Sequence, residues 1–203
     1  MAIGKLIAID GIDGSGKSTL ARKISENINV KYFSVFEERY MIKELLHVSE
    51  LINKNYREVF SDRFINFSWM MDLFAVAHNK LRTLLETGEN VILDRYILSA
   101  EVYSLATTLS DISSCFDIYS ILPKPDICIY MSVEVEIAVK RIKDRKEERA
   151  FYEDANGLSK IIDQYRMMLA EEKPYPIAII DGNDVFENVY NNCLSVLKKY
   201  DII

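Results

Sequence analysis

The sequence predicts an α/β fold in which a five-stranded parallel sheet carries helices on both faces. Short apolar runs recur five times along the chain, helical patterns fill the intervals between them, and the runs are near-continuously apolar instead of alternating. That last feature marks strands buried on both faces, as in parallel sheets. At 203 residues, and roughly 150 residues per domain, residues 1–203 are expected to form one unit.

Lys5–Asp10 (KLIAID) reads as the first strand, a glycine-rich turn follows, and Lys17–Asn27 has helical period. Val30–Phe36 reads as a second strand. A third, Val91–Leu93, is entered from the helix stop Thr87-Gly88. Ile127–Met131 and Ile177–Ile180 supply two more, punctuated by Pro123 and Pro125 and by Pro174 and Pro176. Helical patterns cover about 40–52, 57–87, 97–121 with a break, 133–145, 154–171 and 184–200. The charge-dense run Lys143–Arg149 (KDRKEER) lacks the apolar anchors of a core segment and is expected to be a helix end or a flap.

Composition narrows the function classes. Twenty-five Lys and Arg against 31 Asp and Glu give a net charge of −6, which argues against a nucleic-acid polymer as partner. Any phosphate must be held by local geometry. Cys115, Cys128 and Cys193 form no disulfide or zinc pattern and are expected to be reduced thiols. No secretion signal is evident, and the most apolar stretch, Ile65–Ala77, is too short for a bilayer and is interrupted by Asp72. A cytoplasmic location without membrane contact is expected.

Glycine is scarce, yet three of the seven fall within six residues, at Gly11, Gly14 and Gly16. The stretch Gly11-Ile12-Asp13-Gly14-Ser15-Gly16-Lys17-Ser18 fits G-x-x-x-x-G-K-[ST], lying after an apolar strand and opening a helix. Glycines let backbone N–H groups curl inward around phosphate, and the helix N-terminus adds partial positive charge. Lys17 supplies a cation to the outer phosphates, and the Ser18 hydroxyl suits Mg²⁺. The pattern predicts a P-loop NTPase fold with ATP held by Gly11, Ile12, Asp13, Gly14, Ser15, Gly16, Lys17, Ser18 and Thr19.

A phosphate loop alone serves switches, motors and kinases alike. The sequence has no N-K-x-D guanine-reading motif, and the third strand is followed by Asp94-Arg95-Tyr96, not D-x-x-G. From Ile9 to about Tyr165 the chain resembles the thymidylate kinases and related nucleoside monophosphate kinases. The resemblance is carried by IDGIDGSGKST (Ile9–Thr19), FEER (Phe36–Arg39), DRYILSAEVY (Asp94–Tyr103) and LPKPD (Leu122–Asp126). It implies ATP-dependent phosphorylation of a nucleoside monophosphate, dTMP first, with Mg²⁺. It places Asp13 near the acceptor sugar and phosphate, Arg39 and Arg95 on the acceptor phosphate, and Ser99 in the acceptor site. It further implies Asp94 organising the metal with Ser18, and the Tyr103 ring excluding a 2′-hydroxyl. A homodimer is implied as well.

Arg141, Arg145 and Arg149, followed by Phe151-Tyr152-Glu153, resemble the family's arginine-bearing lid, here about 142–154. Their four-residue spacing aligns three guanidiniums if the helix continues. Gly14 and Ser15 stand where one branch of the family has an arginine. The lid is therefore expected to supply the charge that neutralises the transition state, through Arg145 and Arg149. Alignment on Arg63 and Gly88 puts Trp69 where the family stacks an aromatic on the base, and Leu73 where it has a base-reading arginine. Asp72 would suit an amino-bearing base edge. A deoxynucleoside kinase or other nucleotide kinase with a changed base pocket, and a nucleotide-binding switch without acceptor activity, remain the alternatives.

Overall fold

In the computed structural model, which describes residues 3–35, 37–107, 113–145 and 153–203, the chain enters on β1 (Leu6–Gly11). It turns through the glycine loop into α1 (Lys17–Asn27) and returns as β2 (Lys31–Ser34). Then come α2 (Met41–Leu51), the single turn α3 (Tyr56–Val59) and α4 (Asp62–Val76), which passes through a π-helical turn at Ala77–Leu81 into α5 (Arg82–Glu86). β3 (Val91–Asp94), α6 (Ile97–Thr107), a 3₁₀ segment (Ser113–Ile121) and β4 (Ile127–Ser132) follow. α7 (Val135–Lys143), α8 (Ala155–Ala170), β5 (Ile177–Asp181) and α9 (Phe186–Lys199) complete the order.

All five strands pair in parallel in the order β2-β3-β1-β4-β5, the arrangement of a P-loop NTPase sheet. Successive side chains on a strand point to opposite faces, and both faces are apolar here. Leu6 and Ala8 of β1 face one core and Ile7 and Ile9 the other; Cys128 and Tyr130 of β4 alternate likewise with Ile127, Ile129 and Met131. The first core is closed by α4, α5, α6 and α8, the second by α1 and α9. A smaller cluster, Ile42, Leu45 and Ile65 with Trp69 packed against it, ties α2 to α4.

Two helical expectations shift. The 57–87 pattern breaks between α3 and α4, where the Ser61 side chain caps α4 by accepting the Phe64 N–H at 3.3 Å. The 133–145 helix stops at Lys143, one residue beyond its last buried apolar anchor, Ile142. Arg145 therefore lies off the helix. In register, Ile9 of β1 and Ser34 of β2 pair with Asp94 of β3, and Gly11 pairs with Met131 of β4. The strands thus end together at one edge, where ligands bind in such sheets.

Candidate active site

The glycine loop leaves β1 at Gly11, whose φ of +147° favours glycine and where a Cβ would lie 2.7 Å from the Met131 carbonyl oxygen. At Gly14, φ +79°, a Cβ would meet the Ala138 carbonyl oxygen of α7 at 2.5 Å. A larger side chain at this position has no room. α1 then starts at Lys17 with no acidic residue in its first turn and no side-chain cap, an end suited to anionic phosphate. Asp13, Gly16, Lys17 and Ser18 line a cleft of ≈ 700 Å³. Gly11, Ile12, Gly14 and Ser15 are buried, and Thr19 is exposed.

Lys17 donates to the Ile12 carbonyl at 2.8 Å. Burial, then repulsion by Arg95, lowers its pKa to about 8 against the attraction of Asp13, Asp94 and Asp10. Beside it, Arg95 donates to Asp13 Oδ1 at 2.5 Å and to the Gly11 carbonyl at 3.0 Å, while the Tyr103 hydroxyl donates to Asp13 Oδ2 at 2.7 Å. The Arg95 guanidinium sits 4.4 Å from the Tyr103 ring centroid, within cation–π range. Burial pushes the Asp13 carboxyl up. Arg95, Lys17 and the Tyr103 hydrogen bond outweigh that push and hold it at about 2. Arg95 itself adopts φ +70°, a strained conformation for a non-glycine residue, fixed by its N–H bond to the Ile9 carbonyl at 2.9 Å. That turn swings the guanidinium from the end of β3 onto the phosphate loop.

Ser99 is a correction. The resemblance implies a place in the acceptor site, but the residue is 0% exposed and does not line the cleft. Its hydroxyl bonds the Asp10 carboxylate and shares a 2.7 Å hydrogen bond with the Tyr165 hydroxyl of α8. Asp10 also accepts from the Tyr96 N–H at 3.2 Å and the Cys128 thiol at 3.4 Å, and burial pushes its pKa up. Tyr165 in turn accepts the Gly11 N–H at 3.2 Å. Ser99 is thus spent on satisfying a buried carboxylate, which needs such partners, and on anchoring the first glycine of the loop.

Arg39, Trp69 and Leu73 also line the cleft, as do Asp94 and the loop-bound Arg95 and Tyr103. The Arg39 guanidinium stands 5.4 Å from the Trp69 ring. Sequence reasoning missed Ser104 of α6 and Tyr119 of the 3₁₀ segment, which also line the cleft. Asp72 also borders the cleft, but its carboxylate accepts three backbone N–H groups at the start of α2.

The lid arginines separate. Arg141 donates to the Gly14 and Ser15 carbonyls at 3.3 and 3.4 Å and to the Gly182 carbonyl at 2.9 Å, bracing the phosphate loop against the β5–α9 turn. Arg145 borders the cleft. Arg149, Phe151 and Tyr152, like Phe36 of FEER, lie outside the described residues. Ser18 and Asp94 bring a hydroxyl and a carboxylate to one cleft. This hard oxygen pair fits Mg²⁺, which takes one or two protein ligands and completes its shell with phosphates and water.

The thymidylate kinase family profile matches residues 9–193. The chain is 30% identical over 202 residues to a probable thymidylate kinase of Saccharolobus solfataricus, covering 96% of this chain and 97% of that one. It is 28% identical to a thymidylate kinase of Legionella pneumophila, covering 97% and 95%. The solved thymidylate kinase of Candida albicans superposes with TM-score 0.75 at 22% identity, covering 100% of this chain and 94% of that one. A deoxyadenosine kinase of M. mycoides reaches 0.70 at 20%, covering 96% and 99%, so these two likenesses speak for the fold. The loop, the DRY segment and the full-length match agree, and the chain belongs to the thymidylate kinase family of nucleoside monophosphate kinases.

Proposed function

We propose that the protein transfers the γ-phosphoryl group of ATP to the 5′-phosphate of a deoxynucleoside monophosphate, dTMP first. The observation that carries this reading is the meeting of donor and acceptor machinery in one cleft, which Lys17 of the phosphate loop lines together with Arg39, Trp69, Arg95 and Tyr103. Lys17 holds the outer phosphates of ATP, and Arg39 and Arg95 hold the acceptor phosphate in line with them. Asp13, clamped by Arg95 and Tyr103, orients the arginine and the sugar. The Tyr103 ring occupies the 2′ side. Arg145, with Arg149 from the lid, neutralises charge on the group in flight. Positioning and electrostatics supply the catalysis. Mg²⁺, held by Ser18 and Asp94, offsets phosphate charge when bound.

An ionised phosphate acceptor needs no general base. A hydroxyl acceptor benefits from a carboxylate base, and the Asp13 carboxylate is already engaged by Arg95 and Tyr103. This disfavours a deoxynucleoside kinase, and the retained acceptor wall disfavours a bare switch. The single domain, the homodimer and the cytoplasmic location are part of the proposal. An apolar outer stripe of α4, Phe64, Phe67 and Met71, supports a dimer, to be checked by light scattering. Three free thiols match a reducing compartment. Among the described residues no helix is long and apolar enough to cross a membrane. A coupled ADP-release assay with dTMP tests the reading: turnover above the ATPase background supports it, and its absence overturns it.

A further inference from the structure

We propose that Asp72 is a positioning residue that fixes the backbone on which Arg39 is mounted; the inference rests on the reading of Arg39 as a ligand of the acceptor phosphate. Asp72 is 1% exposed and lies in the apolar run of α4. A buried carboxylate must be satisfied there, and it is: Oδ1 accepts the N–H groups of Tyr40 at 3.0 Å and Met41 at 2.6 Å, and Oδ2 that of Ile42 at 3.1 Å. These amides open α2, whose N-cap residue, Tyr40, provides no side-chain cap of its own. A carboxylate on helix-start amides combines charge-assisted hydrogen bonds with the favourable end of the helix dipole. The cap comes from another helix, so it also locks α2 onto α4.

Arg39 immediately precedes the capped amides, and its guanidinium lies 5.4 Å from the ring of Trp69. Trp69 and Asp72 are three residues apart on α4 and so share a face. The other side of Arg39 is tied as well. Glu38 pairs with Lys80, whose ammonium sits 4.2 Å from the Phe33 ring. The turn carrying Arg39 is therefore pinned on both flanks, once by α4 and once by the segment that follows it. The long, exposed arginine starts from a fixed base, which lowers the ordering cost when phosphate binds. Asp72 spends its acceptors on backbone and is not a reader of the nucleobase.

The test uses the full chain with Asp72→Asn, Asp72→Ala, Arg39→Ala and the double variant Arg39→Ala/Asp72→Ala, assayed with dTMP, dUMP, dCMP and dAMP. Amide hydrogen exchange is followed at Tyr40, Met41 and Ile42. Losing charge-assisted hydrogen bonds should raise KM for every accepted monophosphate by one common factor of about tenfold or more, with kcat within about threefold. Asp72→Ala should add less than about twofold on the Arg39→Ala background, because coupled residues are non-additive. Exchange at the three amides should quicken in Asp72→Asn. A change in base preference, full additivity with Arg39→Ala, or unchanged exchange in Asp72→Asn overturns the proposal. If Asp72→Ala does not fold, Asp72→Asn and the wild-type exchange rates decide, and fast exchange of these amides in the wild type also overturns it. A wild type inactive on every monophosphate defeats the kinase reading instead, and the exchange data then judge the cap alone.

Discussion

Lys17 is enclosed between the phosphate loop and Arg95, and burial followed by Arg95 repulsion brings its pKa from 10.5 down to about 8. A group with that pKa is about nine-tenths charged at pH 7 and about one-tenth charged at pH 9. Because kcat/KM reports the free enzyme, kcat/KM for ATP should bend near pH 8 and then fall about tenfold per pH unit. Bound polyphosphate restores the ammonium, so kcat should stay level over the same range. Phosphate second pKa values lie near 6 and leave this window clear. Lys17→Arg should remove the bend, and Lys17→Ala should abolish transfer while leaving the fold intact. Stability must move in the opposite direction to kcat/KM. The folded pKa lies below the unfolded one, so between about 8 and 10.5 the unfolded chain binds more protons and folding gains with rising pH. The shift corresponds to about 3 kcal/mol. Lys17→Met should therefore show a melting-temperature advantage over wild type at pH 7.5 that shrinks by pH 10.5. Steady-state kinetics and melting from pH 7 to 10.5 provide the assay. A flat kcat/KM to pH 9.5, or kcat falling in parallel, would refute the reasoning.

Arg39→Ala and Arg95→Ala should mainly raise KM for the monophosphate, and Arg149→Ala mainly lower kcat, since in the proposed function the first two meet the phosphate in the ground state and the third meets charge in flight; a KM effect alone for Arg149→Ala would remove it from the lid role. Ser99→Ala should leave acceptor KM unchanged but cost about 1–3 kcal/mol by stripping a partner from buried Asp10, at about 2–4 °C of melting temperature per kcal/mol; a KM rise without destabilisation would return Ser99 to the acceptor site. With Leu73 lining the cleft beside Trp69, the proposed function predicts that dTMP, dUMP and other accepted deoxynucleotides differ by no more than about 10² in kcat/KM, the discrimination an apolar wall supplies. Leu73→Arg should sharpen the preference for thymine, and a wild-type preference of about 10⁴ or more would mean that another polar group reads the base.

The sheet was legible because its strands are apolar on both faces, so Leu6–Gly11 and Ile127–Ser132 stand out whatever their neighbours do. The phosphate loop was legible because its chemistry is local in sequence. What escaped depends on distant partners. Ser99 lies in a family motif, yet its role is set by Asp10, 89 residues earlier, and by Tyr165 on another helix. Tyr165 itself reads as one more member of the apolar stripe of α8. Asp72 did leave a signal, the one charge within the apolar run Ile65–Ala77, but nothing nearby names α2 as the element it caps. Arg141 shares the four-residue spacing of Arg145 and Arg149, which shows nothing of its contact with the phosphate loop. Only the close approach of α7 at Gly14 separates it from Arg145.

The central claim is most directly tested by following ADP release with ATP and Mg²⁺ against every ribo- and deoxynucleoside monophosphate and against thymidine itself. The account predicts turnover with dTMP among the best acceptors, weaker turnover with ribonucleotides because of Tyr103, and none with the unphosphorylated nucleoside. Tight ATP binding without acceptor-dependent ADP release, or turnover with thymidine in preference to dTMP, would contradict it.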